Sequence, residues 1–227
     1  MLRQIMRKCG FVKIYNRLIA PVVNRLFLEQ LIRKTDNFGG IKWLGYPVWQ
    51  NILDLWTIQE TLAEVKPALL IETGTNRGGS ARFYSHLFDL MGHGEVLTID
   101  VEKLHELQLP RVQFLLGSSV AEEIVAIARE RVRRCDGPVM VILDSDHSEA
   151  HVARELEAYA GFVTPGSYLL VQDGVTDVVG NFLGEGRPGP LPAIQKFLPN
   201  HPEFTLDQER CDRFLVTHHP MGWLRRK

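Results

Sequence analysis

A chain of 227 residues, 45% hydrophobic and with a net charge of −1, can bury the core of one full domain. The near-neutral balance excludes a strongly basic nucleic-acid binder. No apolar run reaches the roughly 18 to 20 residues of a membrane-spanning helix, and Leu18–Val23 is too short for a signal-peptide core. Cys9, Cys135 and Cys211 form no Cys-x-x-Cys pair, so neither a disulfide framework nor a zinc site is expected and a reducing cytoplasm fits best.

Charge is unevenly spread. Between Met1 and Thr35 stand eight bases and one acid, a net of +7 that leaves −8 on the remainder. This segment, residues 1–35, interleaves Ile, Leu, Val and Phe with the bases and is broken at Pro21. Two readings stay open: helices packed on the domain or on a partner subunit, as in a homo-oligomer, or a basic amphipathic segment lying on an anionic membrane. The second would place the protein peripherally at the inner face of the plasma membrane.

From Asp36 onward, strand and helix patterns alternate. Short apolar strands are expected at Ala68–Ile71, Val96–Ile99, Val112–Leu115, Val139–Leu143 and Tyr168–Val171, with a last one at Arg213–Thr217. Helical spacing falls at Thr57–Val65, Ser80–Met91, Ala121–Arg133, Glu149–Ala160 and Ala193–Leu198. Repeated βα units predict an α/β domain over residues 36–227, a mostly parallel sheet covered by helices on both faces. Ligands of such sheets bind beyond the carboxyl ends of the strands.

The most informative such end is Glu72-Thr73-Gly74-Thr75-Asn76-Arg77-Gly78-Gly79-Ser80. Glycines between a strand and a helix let the backbone approach a ligand, and the free amides of the first helical turn face it. The spacing is not that of dinucleotide binders. An acid two residues before the first glycine suits a ligand with an amino group, for which S-adenosylmethionine is the natural candidate. A purely structural turn is the alternative. Asp100, closing the next strand, can accept both hydroxyls of a ribose; Gly117-Ser118-Ser119 can cap a helix, contact the adenine, or both.

Asp144 and Asp173 occupy equivalent ends of two later strands. Facing carboxylates call for a cation, and hard oxygen donors select Mg²⁺ or a similar ion that could hold a substrate hydroxyl. His147 follows closely enough to act as general base. Gly184 to Pro190 is loop chemistry suited to a lid or a passive connection. Trp43, Trp49 and Trp56 are expected in the core more than in a substrate platform.

The chain resembles the cephalosporin hydroxylase / rhamnosyl O-methyltransferase family, a branch of the class I S-adenosylmethionine-dependent methyltransferases. The resemblance rests on Lys42–Pro47 with Asp54-Leu55-Trp56, Ile71–Thr75 with Gly78-Gly79-Ser80, Asp144-Ser145 with His147 and His151-Val152, Gly166-Ser167-Tyr168, the Gly- and Pro-rich loop ending in Pro188-Gly189-Pro190, Leu215–Thr217 and Gly222-Trp223-Leu224. It implies a Rossmann-like class I methyltransferase fold with a helical N-terminal extension. It further implies S-adenosylmethionine on Glu72, Gly74, Gly78, Ser80 and Asp100, to which Thr75, Ser118 and Ser119 are added as candidate contacts, and Mg²⁺ on Asp144 and the positions after the fifth strand, here Gln172 and Asp173. Gln172 stands where the family commonly carries Glu; the amide keeps an oxygen but removes a charge, which favours a metal-independent route through His147. The expected activity is methyl transfer to a hydroxyl of a sugar, glycolipid or other small metabolite in cell-envelope or natural-product biosynthesis. The competing expectation is a non-catalytic, membrane-associated binding or assembly subunit of the same fold.

Overall fold

The computed structural model describes residues 14–179 and 188–227. Residues 1–13 of the basic segment and most of the Gly184–Pro190 loop lie outside them. A π-helical turn at Tyr15–Ile19 runs into α1 (Ala20–Lys34), which leads through a tight turn to the small antiparallel pair β1 (Lys42–Trp43) and β2 (Tyr46–Pro47).

The domain proper is a seven-stranded sheet in the order β5-β4-β3-β6-β7-β9-β8. Its strands are β3 (Leu69–Thr73), β4 (Glu95–Asp100), β5 (Val112–Leu116), β6 (Val139–Leu143), β7 (Tyr168–Val171), β8 (Phe204–Leu206) and β9 (Trp223–Arg226). The first five are parallel; β9 runs antiparallel to both neighbours. β3, β6 and β7 are buried along their whole length, the continuous apolar pattern of strands covered on two faces.

Alternate residues feed two cores. Ile71, Ile99, Val141 and Leu143 pack under α4 (Glu122–Arg133), α5 (Glu149–Tyr159) and α6 (Pro190–Phe197). Leu70, Val96, Met140 and Leu170 pack under α2 (Ile52–Val65) and α3 (Gly79–Met91). α2 begins five residues before the expected Thr57, because Asn51 caps it: its Oδ1 accepts the Leu53 N–H at 3.0 Å.

The end of the chain departs from expectation. Arg213–Thr217 forms no strand: Leu215 has a left-handed backbone (φ 72°), and the sheet is completed instead by β8 and β9. Arg213 is held in its turn by both carboxylate oxygens of Glu60, at 2.9 and 3.0 Å. The tryptophans divide too. Trp43 packs edge-on against Phe83 and donates to His86, whereas Trp49 and Trp56 are exposed.

The strand order reverses between β3 and β6, the two strands whose following loops carry Gly74 and Asp144. Beyond that switch point opens the cavity.

Candidate functional site

A cavity of about 570 Å³ lies over the carboxyl ends of β3, β4 and β6, within the size range of small-ligand sites. Gly74, Thr75, Ser80, Asp100, Ser119, Asp144, His147 and Asp173 line it, and so do Gln50, Asn37, Phe38, Trp49, His151 and His218. Gly78, Ser118, Glu72 and Gln172 do not.

The glycine loop is shaped by protein as much as it is open to a ligand. Gly74 has φ 90°, and a Cβ there would sit 1.9 Å from the carbonyl oxygen of Asp144. A Cβ on Gly79 would sit 2.3 Å from the carbonyl oxygen of Pro47. Both glycines are required by backbone packed against backbone. Asp100 ties the loop down from β4: its Oδ2 accepts the Asn76 N–H at 2.7 Å and its Oδ1 that of Glu102 at 3.0 Å. Each carboxylate oxygen keeps capacity to accept a further hydrogen bond.

Glu72 lies below the loop, fully buried, with its Oε2 accepting the Thr98 hydroxyl at 2.6 Å; Thr98 is in turn 2.6 Å from the Thr75 hydroxyl. Burial pushes its carboxyl from 4.5 to about 7, although the hydroxyls of Ser80 and Thr98 pull the other way. The position sets Glu72 as a brace of the loop, not as part of the cavity wall.

Ser119 is 3.1 Å from His151 Nε2, which also faces buried Glu155 at 3.5 Å; hydrogen bonding to that carboxylate raises the histidine pKa. Neither Ser118 nor Ser119 caps α4, whose N-cap is Ala121.

At the other end of the cavity, Asp144, His147 and Asp173 each present a donor atom within 4.8 Å of the others. His147 Nε2 is 3.3 Å from Asp173 Oδ2. The two carboxyls behave oppositely. Burial, then repulsion from Asp173, Glu72 and Glu155, raises Asp144 well above the usual carboxylate range. Burial would raise Asp173 as well, but His147, a hydrogen bond from His218 and the charges of His218 and His219 outweigh it and hold the carboxyl well below that range.

Gln172 is not placed as the expected third oxygen ligand. It is 1% exposed, and Gln50 Nε2 donates to its Oε1 at 2.6 Å and to Asp144 Oδ2 at 2.9 Å. Turned end for end, the Gln172 amide puts its nitrogen 3.0 Å from both Asp144 oxygens and 3.1 Å from Gln50 Oε1. In the first orientation Gln50 alone bonds it, in the second it donates to Asp144 and Gln50, and in both it is His147 that stands with the two carboxylates.

Sequence reasoning missed the scaffold behind Asp173. Asp54, on α2 and 3% exposed, accepts the Thr217 hydroxyl at 2.6 Å and the His218 N–H at 2.8 Å. His219 Nδ1 accepts the Asp173 N–H at 3.1 Å, which leaves the proton of the neutral ring on Nε2, 3.8 Å from Asp54. The paired histidines were the available signal; their partner lies more than a hundred residues away in the sequence.

The family profile described as rhamnosyl O-methyltransferase/CmcI matches residues 37–227. The chain belongs to this family. It is therefore an S-adenosylmethionine-dependent methyltransferase of the α/β class. Rhamnosyl O-methyltransferase of Mycobacterium tuberculosis (strain H37Rv) is 33% identical over 227 residues, spanning 92% of this methyltransferase and 91% of its relative. The Mycobacterium leprae protein of the same name is 31% identical over 191 residues, 82% of each chain. A solved CmcI structure with Mg and S-adenosylmethionine superposes with a TM-score of 0.65 at 18% identity, covering 84% of this methyltransferase and 78% of that chain.

Proposed function

We propose that this methyltransferase moves the methyl group of S-adenosylmethionine to a hydroxyl of a sugar, with the cofactor held between the glycine loop and Asp100 and the acceptor placed at Asp144, His147 and Asp173. The observation that carries the reading is one cavity with a nucleoside-type cradle at one end and a carboxylate–histidine cluster at the other. The rhamnosyl acceptor named for the mycobacterial relatives supplies the sugar class.

The residues present fit the cofactor. Asp100 offers lone pairs to a ribose, Ser80 stands at the N-terminus of α3, and Ser119 with His151 lines the wall where a base would lie. Bound there, S-adenosylmethionine supplies an electrophilic methyl on a sulfonium. Glu72, with Thr98 and Thr75, keeps the loop in shape from beneath.

The donor set also fits a divalent ion. Asp144 and Asp173 are hard oxygen donors converging on one point, and a cation between them would relieve the repulsion that raises Asp144. Mg²⁺ held by these two carboxylates would lower the pKa of an acceptor hydroxyl and orient it. His147, oriented by Asp173, takes the hydroxyl proton as general base. A second reading makes His147 the third ligand, because its nitrogen already lies within 4.8 Å of both carboxylates. His147→Gln separates the two: an intact metal affinity with lost activity assigns the base, a lost affinity assigns the ligand.

Calorimetry with S-adenosylmethionine tests the first step. Micromolar binding is expected; no heat and no thermal shift would instead leave a non-catalytic binding or assembly subunit. Asp144→Ala is expected to abolish Mg²⁺-dependent transfer. Activity indifferent to both the substitution and a chelator would remove the ion.

A further inference from the structure

The outward side of the N-terminal helical segment is apolar and uncovered. Tyr15, Leu18, Val22, Val23, Leu26 and Phe27 recur at helical spacing and are between 41 and 63% exposed. The opposite side is seated on the domain, where Leu28 and Ile32 pack against Val175 and Val216. Beside the helix stands Leu215, 74% exposed on its left-handed backbone, with its carbonyl oxygen accepting the Asn24 amide at 3.1 Å. Large apolar groups so arranged mark an interaction face.

Charge indicates what covers it. Arg17, Arg25, Arg33 and Lys34 belong to the described helical segment, and the net of +7 over residues 1–35 contrasts with −8 elsewhere. Arg25 is paired with Glu29 at 3.1 Å, and the segment stays net basic; an apolar stripe on such a helix matches an anionic bilayer, which takes the side chains into its acyl boundary and the bases at its headgroups. No helix among the described residues is long and apolar enough to cross a membrane.

The position of the helix adds a functional consequence. The turn that follows α1 carries Asn37 and Phe38, both lining the cavity, and Phe38 meets the His218 ring edge-on at 4.2 Å. A surface that holds α1 therefore lies near the acceptor end of the site.

We propose that the α1 segment and Leu215 form a docking face that rests this methyltransferase on an anionic lipid surface. The docking stands independently of the methyl-transfer reading above.

The test is flotation of the full chain with vesicles of phosphatidylcholine, alone or with roughly 30% phosphatidylglycerol. Partition into the anionic vesicles is expected to exceed that into neutral ones by about tenfold or more and to weaken in high salt. Replacing Leu18, Val22 and Leu26 together by Glu should reduce it at least about tenfold, since charges would have to enter the acyl boundary. All three side chains are more than half exposed, so the variant should keep the wild-type heat of S-adenosylmethionine binding. Equal partition into both vesicle types, or a triple variant that binds as wild type does, overturns the docking. So does a stable dimer in light scattering that the same substitutions dissociate, since a second copy would then cover the face. Cofactor heat without vesicle partition removes the docking and leaves methyl transfer standing; partition without cofactor heat does the reverse.

Discussion

Glu72→Gln tests whether the loop brace is held at an electrostatic cost. The carboxyl is fully buried and rises from 4.5 to about 7, so the folded chain holds its proton more tightly than the unfolded chain does. Stability from this group is complete below pH 4.5, falls as pH climbs toward 7, and is level above it. At 1.36 kcal/mol per pH unit, the full loss is about 3 kcal/mol. Glutamine keeps an oxygen for the Thr98 hydroxyl and has no charge to bury, so the variant should escape this loss. Part of the gain is offset by the second amide group, because Glu72 Oε1 is buried away from Thr98 and an NH₂ there would have at most the Ser80 hydroxyl to meet. Urea unfolding of the cofactor-free protein, followed by tryptophan fluorescence, should show Glu72→Gln no more stable than the parent near pH 4.5, where only the amide cost is felt. Glu72→Gln should be more stable by about 1–3 kcal/mol at about pH 8. A stability difference that does not change between those two conditions would refute the reasoning.

Gly74→Ala should be destabilised by more than about 3 kcal/mol in the same assay, because its Cβ would lie 1.9 Å from the Asp144 carbonyl oxygen at a backbone conformation alanine rarely adopts. Asp54→Ala leaves the Thr217 hydroxyl and the His218 N–H without their acceptor and should cost about 2–4 kcal/mol, read as a lower urea midpoint. Gln172→Glu puts a further carboxylate against Asp144. It should lower the stability of the metal-free protein by about 1–3 kcal/mol while tightening Mg²⁺ binding by about tenfold in calorimetry. An unchanged Mg²⁺ affinity would show that this position does not sense the ion.

The parallel sheet was legible because β3, β6 and β7 are apolar at every position, a pattern that survives without knowledge of neighbours. The loops after β3, β4 and β6 follow directly from those strands, so Gly74, Asp100 and Asp144 could be placed together in advance. β8 and β9 were not visible for the opposite reason. Trp223 and Leu224 are fully buried only because an antiparallel strand is inserted between β7 and β8, and the four residues Trp-Leu-Arg-Arg carry no period of their own. Arg213–Thr217 has the apolar content of a strand, yet Leu215 adopts φ 72° and its neighbours bond across to α2. Gln50 escaped notice because an isolated glutamine before a helix signals nothing until the fold brings Asp144 and Gln172 to it.

The close approach of Gly74 to the Asp144 backbone joins the two ends of the cavity mechanically. The Asp144 N–H donates to the Thr73 carbonyl at 3.0 Å, so the peptide before Gly74 and the first residue of the acidic cluster are bonded as well as packed. A displacement of one loop is therefore passed to the other through this bond and this contact. A ligand that displaced either loop would be felt at the other, and by linkage any factor an ion added to cofactor affinity would be returned by the cofactor to the ion.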